Sequence, residues 1–340
     1  MRAVVFKGVE RGISVEEVGV PQLDSKNEVL ISVMECGICG SDLAILEGRH
    51  PSRPPVILGH ELSGKVVSVG EGMEGLKVGD HVVVDPNVSC GLCPNCRSGR
   101  RNMCENLREI GITSNGGFAE LMAAPQKSCY VVDEAMSWKE GALVEPLACV
   151  LHGFEKSRVR PDQSAAVFGA GPMGLLWVCL LKRAGVRRII AVDPAEKRRR
   201  AAEGLGADRV VDPSAEDAVV AVERETKGRG ADLAIEMVGR QETFEDAVKC
   251  VGLGGRVVVM GVARKETKGQ VTQFEVMSRE AVIMGSNAST VEFPPAIRLI
   301  EAGAIPTGVI VSHEFRIEEA QRGFDLCRAG EAIKAMIKPS

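Results

Sequence analysis

The chain has 340 residues, 45% of them hydrophobic and 26% charged, with a net charge of −4, 38 glycines and 11 cysteines. That length exceeds one comfortable core and points to two domains, and the composition excludes a disordered or low-complexity protein. The small negative charge excludes nucleic acid or an anionic membrane surface as an expected partner.

In chain order, the first 150 or so residues alternate short β-type runs ("AVVF", "EVLISVM", "ELSGKVVSVG", "DHVVVDP") with Gly/Pro turns. This predicts a compact, mostly β domain. Charges within "MRAVVFKGVE" argue against a signal peptide, so a cytoplasmic protein is expected. From about residue 155 the rhythm changes. "SAAVFGAG" reads as a strand, Pro172 to Ala184 as a helix, "RRIIAVD" as a strand and Ala195 to Leu205 as a helix. "DRVVD", "DLAIEMVG", "GRVVVMGV" and "AVIMGS" follow as further strands. Such alternation predicts an α/β fold with a doubly wound parallel sheet. The uncharged run from Ser164 to Leu181 approaches the length of a membrane span, but Gly-Ala-Gly-Pro in its middle favours strand, turn and helix. After about residue 286 come a helix near 294–303, a strand at "GVIVSHEF", and a last helix and strand. The expected domains are therefore 1–152, 153–285 and a return segment, 286–340, that rejoins the first.

"CGLCPNCRSGRRNMC" places Cys90, Cys93, Cys96 and Cys104 at C-x2-C-x2-C-x7-C spacing. Gly91, Pro94 and Asn95 make tight turns that aim four thiolates at one centre, the shell of a structural zinc, with an iron–sulfur cluster as the competitor. Stable disulfides are not expected in a reducing cytosol. Cys149, Cys179, Cys250 and Cys327 sit singly among apolar neighbours and read as core residues.

Gly169-Ala-Gly171-Pro172-Met173-Gly174 matches G-x-G-x-x-G between an apolar strand and an apolar helix. Gly169 supplies the tight turn, Gly171 lets a pyrophosphate approach the helix N-terminus, and Gly174 permits close helix–strand packing. Asp193 ends the next strand at the distance expected of a ribose acceptor, although Asp-Pro also starts helices. Lys197 to Arg200 form a basic run that would suit a 2′-phosphate, yet Asp193 would repel that group. NAD is the expected cofactor and NADP the alternative.

"CGICGSD" and "GHE" concentrate further ligand chemistry in Cys36, Cys39, His60 and Glu61. Glu145, in "VEPLA", is an acid among apolar residues, and Pro146 after it disfavours a helical backbone there. Cys, His and carboxylate ligands with room for water describe a catalytic zinc.

Together "CGICGSD", "GHE", the four-cysteine lobe (about 88–106), "EPLA", "GAGPMG" and "VVVMGV", in this order, resemble the zinc-dependent medium-chain alcohol and polyol dehydrogenases, in the sorbitol, threonine and butanediol dehydrogenase branch. The resemblance runs the length of the chain. It implies a GroES-like β domain, a Rossmann domain and a homo-oligomer, tetramer or dimer. It makes Cys39 the ligand and Cys36 a core residue, with His60 the second ligand and Glu61 and Glu145 direct or water-linked carboxylates. It implies two zincs per chain, the four-cysteine one structural. Pro172, Met173, Arg198, Val238, Gly261 and Val262 join the cofactor-binding residues, and Ser41 becomes a proton carrier. Many relatives have a histidine five residues after the cysteine ligand, where this chain has Ala44, so proton release must differ. The implied reaction interconverts a secondary alcohol (a polyol, sugar alcohol or hydroxy amino acid) and its ketone by hydride transfer. A zinc-free enoyl or quinone reductase and a non-catalytic dinucleotide-binding zinc protein are the alternatives.

Overall fold

A computed structural model describes residues 1–23, 27–71 and 73–340. It divides into two compact units, Met1–Cys149 with Ala288–Ser340, and Val150–Asn287.

The first unit holds strands β1 (Arg2–Phe6), β2 (Ile13–Glu17), β3 (Glu28–Gly37), β4 (Val56–Ile57), β5 (Glu61–Val69), β6 (His81–Val84), β7 (Asn87–Val88), β8 (Arg108–Glu109), β9 (Leu121–Pro125) and β10 (Cys129–Val131). β3 alternates buried and half-buried positions as far as Glu35 and then buries Cys36 and Gly37 as well. The cause is pairing on both edges. Gly37 faces Glu61 of β5 on one side, and on the other Met336 of a strand from the far end of the chain. This domain is less purely β than its sequence suggests. It also contains helices Gly40–Leu46 and Trp138–Ala142, and Val144–Ser157 carries the chain onward into the second unit.

The second unit holds β11 (Ser164–Phe168), β12 (Arg188–Val192), β13 (Arg209–Val211), β14 (Ala231–Glu236), β15 (Val251–Val259) and β16 (Val282–Gly285). All pairings are parallel, in the order β13-β12-β11-β14-β15-β16. This is the doubly wound arrangement, with its switch point between β11 and β14. β11 is buried at every position, as a central strand covered on both faces must be. Helix Pro172–Arg183 starts on a proline and ends on Lys182 and Arg183, which suit the two ends of a helix dipole.

Residues 288–340 return to the first unit with β17 (Val311–Arg316) and β18 (Lys334–Lys338). The strand expected at "GVIVSHEF" begins late, because Thr307–Ile310 form one helical turn after Pro306 and bury Ile310. β18 pairs parallel with β17 and antiparallel with β3. Among the described residues no helix is long and apolar enough to cross a membrane.

Candidate active site

Three side chains of the first unit, Cys39, His60 and Glu61, meet where β3 ends and β5 begins, and Glu145 is buried near enough to feel their charges but stands outside that group. Cys39 occupies the N-cap of helix Gly40–Leu46, and His60 follows Gly59, whose φ of +95° aims the ring back toward that helix. Glu61 opens β5, and Glu145 stands in the first turn of Val144–Ser157. Pro146 therefore does not hold Glu145 extended as its position in the sequence suggests. A proline in the first helical turn forfeits no intrahelical bond, and the helix forms around it. Ligand atoms of Cys39, His60 and Glu61 lie within 4.8 Å of one another. Cys36 is fully buried in the core and outside this group.

Asp42, three residues past Cys39, organises the pair. It is completely buried; its Oδ2 accepts a hydrogen bond from Cys39 N at 2.8 Å, and its Oδ1 faces His60 Nδ1 at 3.5 Å. Neither Oδ1 nor Nδ1 has a hydrogen-bond partner, so the two face each other as a close electrostatic pair. A proton held on Nδ1 by Asp42 leaves the Nε2 lone pair for a metal, the usual support for a histidine ligand. Burial opposes charge on His60, but Asp42 and the Cys39 thiolate raise its pKa well above the ordinary histidine value. Ser41 Oγ lies 3.3 Å from His60 Nε2. Ala44 is buried, and His50 is held in its own loop, its Nδ1 3.1 Å from Pro51 O.

The two acids have different companions. Glu145 accepts a hydrogen bond from the Cys149 thiol, 3.2 Å away and one helical turn on, so Cys149 is more than a packing residue. Burial pushes Glu145 up to about 7, with His60 pulling it down and Glu61 pushing it further up. Glu61 instead contacts the ammonium of Lys334, which arrives on β18. Lys334 is 2% exposed and also donates to Ile38 O at 3.1 Å. Burial disfavours its charge, yet Glu61 and Cys39 hold its pKa above that of a free lysine.

The four lobe cysteines also converge, with Cys90–Cys96 and Cys93–Cys104 sulfurs 4.0 Å apart and every thiol free. Tetrahedral bonds of about 2.3 Å to zinc put neighbouring sulfurs about 3.8 Å apart, so this cage fits the ion. Backbone N–H groups of Leu92 and Cys93 donate to Cys90 Sγ, each at 3.4 Å, and bring that thiol down to about 6.

In the second unit the expected cofactor residues gather at the C-terminal ends of adjacent strands. Gly169, at φ +95°, would bring a Cβ within 2.8 Å of Val238, and a Cβ on Gly174 would lie 1.9 Å from Gly169 O. Gly171 caps the helix Pro172–Arg183 with nothing within 4 Å of its missing side chain, and Met173 sits in that helix's first turn. That space above a helix N-terminus fits a pyrophosphate. Asp193 is buried; its Oδ2 accepts from Ala170 N and its Oδ1 from Ala195 N, each at 2.9 Å, and Arg198 Nη1 stands 3.8 Å from Oδ2. Glu236, buried at the end of β14, accepts from Val238 N and Gly239 N at 2.8 Å. Gly261 must lack a side chain, since a Cβ there would come within 2.2 Å of Gly239 N, and Val262 follows at the surface.

Sequence reasoning missed Asp42, Cys149, Lys334 and Glu236. Each left a trace: Asp42 in "CGSD", Cys149 one turn from Glu145, Lys334 inside the apolar run "AIKAMI", and Glu236 at the end of an apolar strand.

Comparisons with known proteins show the family. The profile of the Alcohol dehydrogenase GroES-like domain matches residues 25–134, and that of the Zinc-binding dehydrogenase matches 172–302. D-arabinitol dehydrogenase 1 of Uromyces fabae is 33% identical, over 97% of this chain and 95% of its own. L-threonine 3-dehydrogenase of Caldanaerobacter subterraneus subsp. tengcongensis is 32% identical, over 100% and 99%. A chain from Sinorhizobium meliloti 1021 solved bound to NADP superposes with a TM-score of 0.95 at 37% identity, covering 99% of each chain. An alcohol dehydrogenase of Escherichia coli CFT073 complexed with NADH gives 0.92 at 28% identity, covering 99% of each. The chain belongs to the zinc-dependent medium-chain polyol dehydrogenase family, whose GroES-like and Rossmann domains serve NAD(P)-dependent interconversion of alcohols and ketones.

Proposed function

We propose that this chain oxidises a secondary alcohol of a polyol, sugar alcohol or hydroxy amino acid to the ketone, and runs the reverse reduction, with Cys39, His60 and one acid holding zinc. The observation that carries the reading is Asp42 bound at once to Cys39 and facing His60, with Glu61 and Glu145 buried beside them. The substrate class follows the relatives, which are named for arabinitol, threonine and sorbitol. Zinc bound there supplies a Lewis acid that makes an alcohol oxygen more acidic, and the nicotinamide supplies the hydride acceptor. The protein residues do the rest. Asp42 fixes the tautomer of His60. A thiolate and one carboxylate neutralise a divalent ion, and a second direct carboxylate would weaken its pull on the substrate, so one of Glu61 and Glu145 stays outside the direct ligand set. Ser41, beside His60, takes the hydroxyl proton and passes it to water, because Ala44 offers no further acceptor. The four lobe cysteines hold a second, structural zinc.

For the cofactor, Asp193 supports NAD, since each of its oxygens keeps a lone pair for a ribose hydroxyl and its charge opposes a 2′-phosphate. Arg198 and the NADP-bound chain from Sinorhizobium meliloti favour the second reading, NADP. Initial rates against polyols and hydroxy amino acids, with NAD and NADP in parallel, test both; no turnover with any of them would end the proposal. A homo-oligomer, dimer or tetramer, is also proposed. Among the described residues β16 pairs on one side only, and Phe274 and Met277 near it are 70% and 66% exposed, an edge that a second copy would cover. A monomer in light scattering would contradict it.

A further inference from the structure

We propose that the first unit carries a second small-molecule site, for an amphiphilic carboxylate with a short acyl chain, whose occupancy is transmitted to His60. A cavity of about 580 Å³ opens among β1, β4, β8 and β9, within the range of about 300–1,000 Å³ usual for small-molecule sites. None of Cys39, Ser41, His60, Glu61 and Glu145 is among the described residues that line it. Its wall is largely aliphatic, with Val5, Val18, Val56, Ile57, Leu121 and Met122. A polyol would find few partners there, whereas an acyl chain would gain by leaving water. Among the described lining residues Arg108 is the only basic side chain and Glu28 the only acidic one. Glu28 has a partner of its own, while among the described residues the Arg108 guanidinium has none. Asn115 also lines the cavity; its Oδ1 accepts from Ile57 N at 3.1 Å and its NH2 group is uncommitted. A guanidinium and an amide donor beside an aliphatic wall select one anionic head on an apolar body.

The wall of this cavity is tied to the turn that carries His60. Residues 115 and 116 hold Ile57 at both polar groups: Asn115 Oδ1 takes its N–H, and Gly116 N donates to its carbonyl at 2.8 Å. Gly117 N then donates to Gly59 O at 2.8 Å, one residue before His60. No side chain separates loop from turn, since a Cβ on Gly111 or on Gly116 would fall 2.2 Å from Gly59 O. Backbones packed this closely move together. A carboxylate held by Arg108 and Asn115 stiffens residues 108–117 and, through Ile57 and Gly59, the turn that aims His60. Zinc then meets an ordered turn and binds more tightly, and by linkage it tightens the carboxylate by the same factor. This coupling rests on the metal-site reading above; the carboxylate site does not.

Octanoate is the probe and octanol its uncharged counterpart, each titrated calorimetrically into the full chain without nicotinamide cofactor. Hexanoate should bind about 15-fold more weakly than octanoate, a factor of about four for each buried methylene. Arg108→Gln should weaken octanoate about tenfold and leave octanol unchanged. Zinc competition against a chromophoric chelator should show the Cys39–His60 site about fivefold tighter in wild type at an octanoate concentration that fills it, and no change in Arg108→Gln at the same concentration. Equal octanoate affinity in wild type and Arg108→Gln would overturn the carboxylate assignment. Failure of wild type to bind either probe would overturn the site itself, and an unchanged zinc affinity would overturn its link to His60. His60→Ala should still bind octanoate through Arg108; loss of octanoate there would place it on the metal and overturn the proposal. Wild-type protein that holds zinc only in the four-cysteine site, with octanoate still bound through Arg108, would refute the metal-site reading and uphold the carboxylate site.

Discussion

Replacing Asp42 by Asn keeps the shape of a completely buried side chain and removes its charge. Asp42 accepts from Cys39 N at 2.8 Å and faces His60 Nδ1 at 3.5 Å. An amide has one acceptor oxygen, so it can serve Cys39 or His60 but must present an NH2 group to the other. A charge-assisted hydrogen bond contributes about 1.5–3 kcal/mol. Loss of such support behind a metal ligand lowers metal affinity about 10- to 100-fold, or about 1.4–2.7 kcal/mol, so the two routes agree. Zinc competition against a chromophoric chelator should show this weakening at one site of two, and kcat of zinc-saturated protein should fall by a similar factor. Thermal unfolding separates a second role, since Asp42 also caps helix Gly40–Leu46. A lower melting temperature with zinc affinity within about twofold of wild type would show that Asp42 is only a helix cap, and the argument about His60 would fail.

Cys93→Ser should reduce zinc from two per chain to one and lower Tm by about 5–10 °C, because binding energy at a closed site is folding energy; elemental analysis that finds no zinc in wild type would sink the lobe assignment. Asp193→Ala should raise KM for NAD about tenfold while affecting NADP less. Equal losses with both cofactors would reduce Asp193 to a brace for Ala170 and Ala195. Gly174→Ala must displace Gly169 O, which would lie 1.9 Å from the new Cβ. Overpacking of that kind costs about 1–3 kcal/mol, so the dissociation constant for NADH, followed by its fluorescence, should rise about tenfold, and an unchanged value would contradict the tight strand–helix contact.

Much of this molecule was legible in its sequence because the signals are local. The six parallel strands announce themselves as apolar runs between helical stretches, and G-x-G-x-x-G, the four cysteines and "GHE" each fit within one turn or lobe. What escaped was set by register and reach. Pro146 suggested an extended Glu145, but its place in the first turn of a helix depends on where that helix starts. Asp42 is adjacent to Cys39 in sequence, yet its meaning comes from His60, brought over by the turn at Gly59. Lys334 was least visible, since its role depends on the pairing of β18 with β3 across 296 residues of chain.

That separation has a consequence for how the protein is made. Chains emerge from the ribosome at about 5–20 residues per second, so Lys334 follows Ile38 by roughly 15–60 s. During that interval Cys39, His60, Glu61 and Glu145 have all left the ribosome, while the cation that tempers them has yet to be synthesised. The nascent site is therefore more acidic than the finished one and a stronger trap for divalent ions. Whether zinc is loaded during synthesis or after release is thus a question about the charge the site carries when the ion first meets it.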